Sequence, residues 1–113
     1  RRQRQMCIRD RFLDYIREGR LRGILADDGL WMDMGTPEAY LQAHLDFPSP
    51  VPRIHPRARV SPRAFTDSNC VIGPGATVEE GCRLQGCVVW PGVRVPSGTC
   101  AERRIFYCSP TDY

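Results

Sequence analysis

A short three-sided parallel β-helix of about three coils is predicted for residues 54–106, preceded by a small α/β segment, so the fold class is mainly β. Three observations predict it. An apolar residue returns every six positions, a second small or apolar residue follows four places after each, and turn formers fill the intervals. Ile54, Val60, Thr66, Ile72, Val78 and Leu84 lie on one six-residue grid, and Val89, Val95 and Ala101 resume it after a one-residue slip. The second column is Ala58, Ala64, Cys70, Ala76, Cys82, Val88, Val93, Thr99 and Ile105, and no charged residue occupies either column. A helix requires a spacing of three to four and a half-buried strand a spacing of two. A period of six matches the hexapeptide repeat of a parallel β-helix.

Between the columns lie His55-Pro56, Ser61-Pro62, Asp67-Ser68-Asn69, Gly73-Pro74-Gly75, Glu80-Gly81, Pro91-Gly92 and Pro96-Ser97-Gly98. Proline presets φ, and Gly or Asn accepts positive φ, so each repeat can turn a corner between two flat strands. Three repeats make a coil of eighteen residues. That interval stacks Ile54 under Ile72 and, after the slip, Val89; Val60 with Val78 and Val95; and Thr66 with Leu84 and Ala101. Each repeat buries its apolar face only against a neighbour, so about three coils are the least that is stable. A structureless loop of this length would be anomalous in a compact domain.

The elements before the repeats follow in order. Met6 to Glu18 reads as a helix with Ile8, Phe12, Leu13 and Ile16 on one face, stopped by Gly19. Leu21 to Ala26 and Leu30 to Met34 read as two short strands about the turn Asp27-Asp28-Gly29. Thr36 is an N-cap, with Pro37 at the first helical position and Glu38 in the first turn of a helix running to about Leu45. Ala39, Tyr40, Ala43 and Leu45 are its expected buried residues. The resulting segmentation is 1–45 as the end of an α/β domain, 46–53 as a linker holding Pro48, Pro50 and Pro52, 54–106 as the β-helix and 107–113 as a tail. A helix, a two-stranded ribbon and a second helix close little core by themselves, so residues 1–45 look like the end of a larger domain.

Composition narrows the chemistry. The formal charge is +3, and all sixteen basic residues are arginine. With no lysine, the chain offers neither a Schiff-base nor a phosphate-binding lysine. The arginines are dispersed, which argues against a nucleic-acid footprint. Six cysteines lack the paired spacing of a zinc site. They read as packing or incidental thiols of a reducing compartment, Cys70 and Cys82 in the inward column. No apolar run is long enough to span a bilayer, and the expectation is a soluble, cytoplasmic protein without a membrane partner.

The stretch Gly29-Leu30-Trp31-Met32-Asp33-Met34-Gly35-Thr36-Pro37-Glu38-Ala39-Tyr40-Leu41 resembles the G-x-W-x-D-x-G-T-P-E-x-Y-L motif near the end of the catalytic domain of sugar-1-phosphate nucleotidyltransferases. The mannose-1-phosphate guanylyltransferase type is the nearest in pattern. In that family a Pro-containing linker and a left-handed β-helix follow, in the same order as here, and the left hand is an expectation from this resemblance alone. The resemblance implies a carboxy-terminal part of an enzyme that makes NDP-sugars from a nucleoside triphosphate and a sugar-1-phosphate. It further implies Asp33 as a ligand of catalytic Mg²⁺, Trp31 and Gly35 near the substrate, and a β-helix serving self-association, regulation or docking on the nucleotidyltransferase domain. The sequence shows no G-x-G-T-R-L loop, no lysine after it and no upstream aspartate of the metal pair, so no catalytic residue is assigned and the 113 residues alone are expected to be inactive. For Trp31 a place in the core is the simpler expectation, and Gly35 and Thr36 suit the turn into the helix. His55 invites comparison with hexapeptide-repeat acyltransferases, although a corner residue is the simpler reading. His44 reads as a partner for a helix dipole. Trp90, placed at the slip, reads as an outward aromatic covering a face or meeting another subunit. Two alternatives stay open: an acyltransferase-like protein, and a non-catalytic assembly module.

Overall fold

A computed structural model describes residues 2–47 and 53–107, without the side chains of residues 2–7. The expected linker prolines, the tail after Tyr107 and the side chain of Cys7 lie outside the described residues. The chain divides into two compact units, Arg1–Trp31 and Met32–Tyr113.

The first unit holds α1, Arg2–Arg17. Its stop is a Schellman motif: Arg20 N–H donates to the Tyr15 carbonyl at 2.8 Å, Gly19 N–H donates to Ile16 at 3.1 Å, and Gly19 sits at φ +66°. The apolar face read from the sequence is there, but it is open to solvent, with Ile8 72% and Ile16 57% exposed. Neither expected strand forms among the described residues, and Leu21 to Ala26 and Leu30 to Met34 belong to no helix or strand. A two-stranded ribbon is marginal without a third strand or a packed face, and these residues find neither, since Ile24 and Leu25 are 93% and 90% exposed.

The second unit begins with the capped helix α2, Pro37–Asp46. Thr36 takes extended dihedrals and its hydroxyl accepts from Ala39 N–H at 3.1 Å, satisfying one of the orphan donors of the first turn. The helix buries Leu41 and Ala43, while Ala39, Tyr40 and Leu45 are half-buried.

Nine short strands follow among the described residues: β1 (Arg59–Val60), β2 (Phe65–Thr66), β3 (Val71–Ile72), β4 (Thr77–Val78), β5 (Arg83–Gln85), β6 (Val88–Val89), β7 (Arg94–Val95), β8 (Cys100–Glu102) and β9 (Ile105–Phe106). They form three parallel sheets in the orders β1-β4-β7, β2-β5-β8 and β3-β6-β9. Every third strand stacks, as a triangular coil requires. The inward ladders are those the spacing predicts: Val60, Val78 and Val95; Thr66, Leu84 and Ala101; and Ile54, Ile72 and Val89. Ile72, Val78, Leu84, Val89 and Val95 are each at most 1% exposed, a burial worth roughly 1.5–3 kcal/mol per side chain.

The slip is placed differently from the sequence reading. Leu84 and Val89 hold consecutive inward positions, so the missing residue lies in the corner Gln85-Gly86-Cys87, not at Trp90. The same shortening recurs one coil later, because Phe106 pairs with Val89. Two assignments of the second column change in consequence. Val88 pairs with outward Val71 and Ile105 with Val88, and Cys87 takes the inward place above Cys70. In the third coil that register falls on Arg104, an exposed residue whose guanidinium lies 5.2 Å from the Phe106 ring centroid. A shorter corner demands a tighter turn: Gly86 adopts φ +58°, and its counterpart Arg103 the same left-handed region at φ +49°. At another corner only glycine fits for want of space, since a Cβ on Gly73 would lie 2.8 Å from Pro91 N.

Val88 is 4% exposed although it points outward, so something covers that sheet from outside. Two polar contacts tie α2 there: Trp90 Nε1–H donates to the Tyr40 hydroxyl at 3.2 Å, and the Arg53 guanidinium donates to the His44 carbonyl at 2.8 Å. Trp90 thus fastens a helix to the prism.

Candidate functional site

Asp33, two residues into the second unit, is exposed. One carboxylate oxygen, Oδ1, accepts Gly35 N–H at 3.0 Å. This short-range bond bends the chain just before Thr36 and so sets the start of α2. Gly35 is under a spatial constraint, since a Cβ there would lie 3.2 Å from Asp33 Oδ1. The structure therefore joins Asp33, Gly35 and Thr36 into one turn-and-cap unit. Trp31 ends the first unit 83% exposed, which corrects the expectation of a core position.

A divalent cation of the Mg²⁺ kind prefers hard oxygen ligands and keeps several waters. Asp33 fits that chemistry as a single ligand through its second oxygen. No group of three or more His, Cys, Asp or Glu side chains capable of holding a metal occurs among the described residues.

The remaining candidates resolve into structural roles. His55 is a corner residue whose Nδ1 accepts Arg57 N–H at 3.1 Å, which ties down one ring nitrogen that an acyltransferase-type base would use. His44 packs edge-on against Tyr40, with ring centroids 4.7 Å apart. Burial, and then the charge of Arg53, hold its pKa below the usual 6.5, so the ring is biased towards the neutral form and is a poor cation for the helix dipole. Cys70, Cys82 and Cys87 are buried free thiols, whereas Cys100 is exposed. Hydrogen bonding with the Cys87 sulfur, then burial and the nearby Asp67 carboxylate, push the Cys70 thiol well above its ordinary range. Such a thiol is an inert packing group.

Two carboxylates outside the expected site residues organise the prism's corners. Asp67 Oδ1 accepts from Gly86 N–H at 3.0 Å, Asn69 N–H at 3.2 Å and the Cys70 thiol at 3.1 Å. Desolvation pushes its pKa up, but these bonds, with the Gly86 one foremost, outweigh it and leave the group below the usual range. Glu79 accepts from Arg94 Nε at 2.6 Å and from Ser97 N–H at 2.9 Å, and both contacts lower its pKa, that from Arg94 more. The signal available beforehand was positional: both acids sit one residue past an inward grid position, beside a corner.

No protein-family model matches the chain. It is 40% identical over 89 residues to a mannose-1-phosphate guanylyltransferase of Mycobacterium tuberculosis, an alignment covering 68% of this chain and 25% of the relative. It is 35% identical over 94 residues to mannose-1-phosphate guanylyltransferase 1 of Arabidopsis thaliana, covering 68% and 26%. A glucose-1-phosphate adenylyltransferase of Corynebacterium jeikeium is 29% identical over 110 residues, covering 70% and 27%. The chain thus spans about a quarter of the length of these relatives. Among the described residues no helix is long and apolar enough to cross a membrane.

Proposed function

We propose, for a chain homologous to the carboxy-terminal part of sugar-1-phosphate nucleotidyltransferases, that it completes an enzyme making an NDP-sugar of the GDP-mannose type. The substrates are a nucleoside triphosphate and a sugar-1-phosphate. Residues 1–45 are the closing segment of the catalytic domain, and the β-helix, of the left-handed kind, serves self-association or docking on that domain. One observation carries the reading: the Asp33–Gly35–Thr36 unit, the capped α2 and the three-coil prism follow one another in the order the guanylyltransferase resemblance calls for, in a chain 40% identical to such an enzyme.

Transfer of a nucleotidyl group onto a sugar phosphate is an in-line displacement at phosphorus, driven by positioning and by neutralisation of phosphate charge. Asp33 would supply one ligand to a divalent cation, which when bound neutralises that charge. The Gly35 N–H holds the carboxylate at a fixed angle, and the Thr36 cap fixes the strand-to-helix turn beneath it. The phosphate cradle lies outside these residues, so the 113-residue chain alone is inactive.

The test is pyrophosphate release from GTP and mannose-1-phosphate in the presence of Mg²⁺. The isolated chain gives none, and release by it would overturn the reading. In an intact enzyme carrying this segment, Asp33→Asn lowers kcat by about a hundredfold or more. Unchanged turnover would remove Asp33 from the site. Light scattering checks the assembly role, with a mass at multiples of 12.9 kDa expected and a monomer at all concentrations contradicting it.

A further inference from the structure

The prism carries a second candidate site away from Asp33. A groove of about 760 Å³ runs along the corner where the chain enters β1, β4 and β7. Its ridge is three prolines one coil apart, Pro56, Pro74 and Pro91. Next along the corner the residues are Arg57, Gly75 and Gly92, and the two glycines adopt φ +71° and +74°. Glycine is needed there for its backbone and leaves no side chain, so Arg57 alone projects at that level. Two positions on, the outward row reads Arg59, Thr77 and Arg94.

The charges of this face are unequally satisfied. Arg94 is held by Glu79, and Arg63 lies 3.5 Å from Glu80. Those two acids flank the other side of Arg59, but Glu79 is engaged with Arg94 and Ser97. Arg57 and Arg59 have no carboxylate partner among the described residues. Arg57 stands on the corner turn and Arg59 opens β1, and both line the same groove. Planar guanidinium forks bind phosphate oxygens in pairs.

We propose that this groove binds a phosphate-bearing small molecule. Arg57 and Arg59 grip the phosphoryl group, the Thr77 hydroxyl lies within the groove as a further donor, and the body of the ligand rests on the proline ridge. The site lies wholly in the second unit and does not depend on nucleotidyl transfer.

Calorimetric titration of the 113-residue chain with glycerol phosphate at near-physiological salt tests it, with backbone NMR shifts of Gly75 and Thr77 as a second readout. Saturable binding that moves those two amides is expected. The double variant R57Q/R59Q weakens it at least about tenfold, as loss of two charge-assisted contacts requires. The control R103Q/R104Q removes the same charge elsewhere and stays within about twofold. Neither Arg57 nor Arg59 has a charged partner to lose among the described residues, so R57Q/R59Q should melt with the parent chain. No saturation by about 10 mM ligand, weak binding on the scale of affinities, would overturn the proposal. Equal weakening by both double variants would also overturn it, by showing an unlocalised charge effect, as would shifts that miss Gly75 and Thr77.

Discussion

The prism and the first unit use similar apolar residues to opposite ends. In the prism, Leu84, Val95 and Ala76 are wholly buried, each covered by a neighbouring coil. In the first unit, Ile8, Ile16 and Ile24 are 72%, 57% and 93% exposed, although α1 keeps its apolar stripe and its stop signal. The difference lies in where the covering surface comes from. A solenoid repeat finds its partner seventeen or eighteen residues away in the same chain, at low loop-closure cost. An amphipathic helix needs a surface that these residues do not provide, and helices of this length are marginal in water without one.

The contrast is most open to breakage at the centre of the prism. Leu84→Ala should cost about 2–5 kcal/mol in urea unfolding followed by circular dichroism, whereas Ile16→Ala should change the same transition by less than about 0.5 kcal/mol. Equal effects would mean that α1 is buried and the comparison fails. Asp67→Ala comes next, at about 1–2 kcal/mol, because it strips partners from Gly86 N–H and Asn69 N–H at the shortened corner. Its native pKa is depressed, so the stability it gives is present above the unfolded carboxylate pKa and is lost as pH falls through the native value. The difference between parent and variant should therefore vanish in acid. If it persists at low pH, the hydrogen-bonded carboxylate is not its source.

Arg103→Gly should raise stability by about 0.5–1 kcal/mol, since glycine accepts at no steric cost the left-handed backbone that Arg103 holds at φ +49°. A loss would show that the arginine side chain earns its place there. Trp90→Phe removes the bond to the Tyr40 hydroxyl and should speed amide exchange across α2 severalfold while leaving the prism strands unchanged. The smallest effect concerns His44, whose native pKa is lowered. Its NMR titration midpoint should fall below 6.5, and Arg53→Gln should move it part of the way back. For a depressed histidine the neutral form is the native one, so stability is lost as pH falls through that midpoint.

Much of this was readable from spacing. The three inward ladders, the Gly19 stop and the Thr36 cap are local or strictly periodic, and each depends on residue type at a fixed offset. Of the strands expected at Leu21–Ala26 and Leu30–Met34 the second carries a sound alternation, but a strand exists only with a partner ladder, and alternation does not name one. Trp31 misled for the same reason: its type favours burial, yet burial needs a wall. The corner deletion was detected but misplaced, since a missing residue shifts both columns alike and only strand pairing shows which turn was shortened. Of the candidate site, Asp33 and Gly35 were legible as a motif, while the bond between them was not.

By itself the sequence determined the period, the ladders it implies and the family likeness, because a repeat one coil long writes its contacts into residue spacing. The tertiary structure alone decided that Cys87 and not Val88 faces inward and that α2 is tied to the prism through Trp90 and Arg53. It alone left Arg57 and Arg59 in a shared groove without a carboxylate partner among the described residues, since pairing between charges depends on distances across coils that spacing along the chain does not fix.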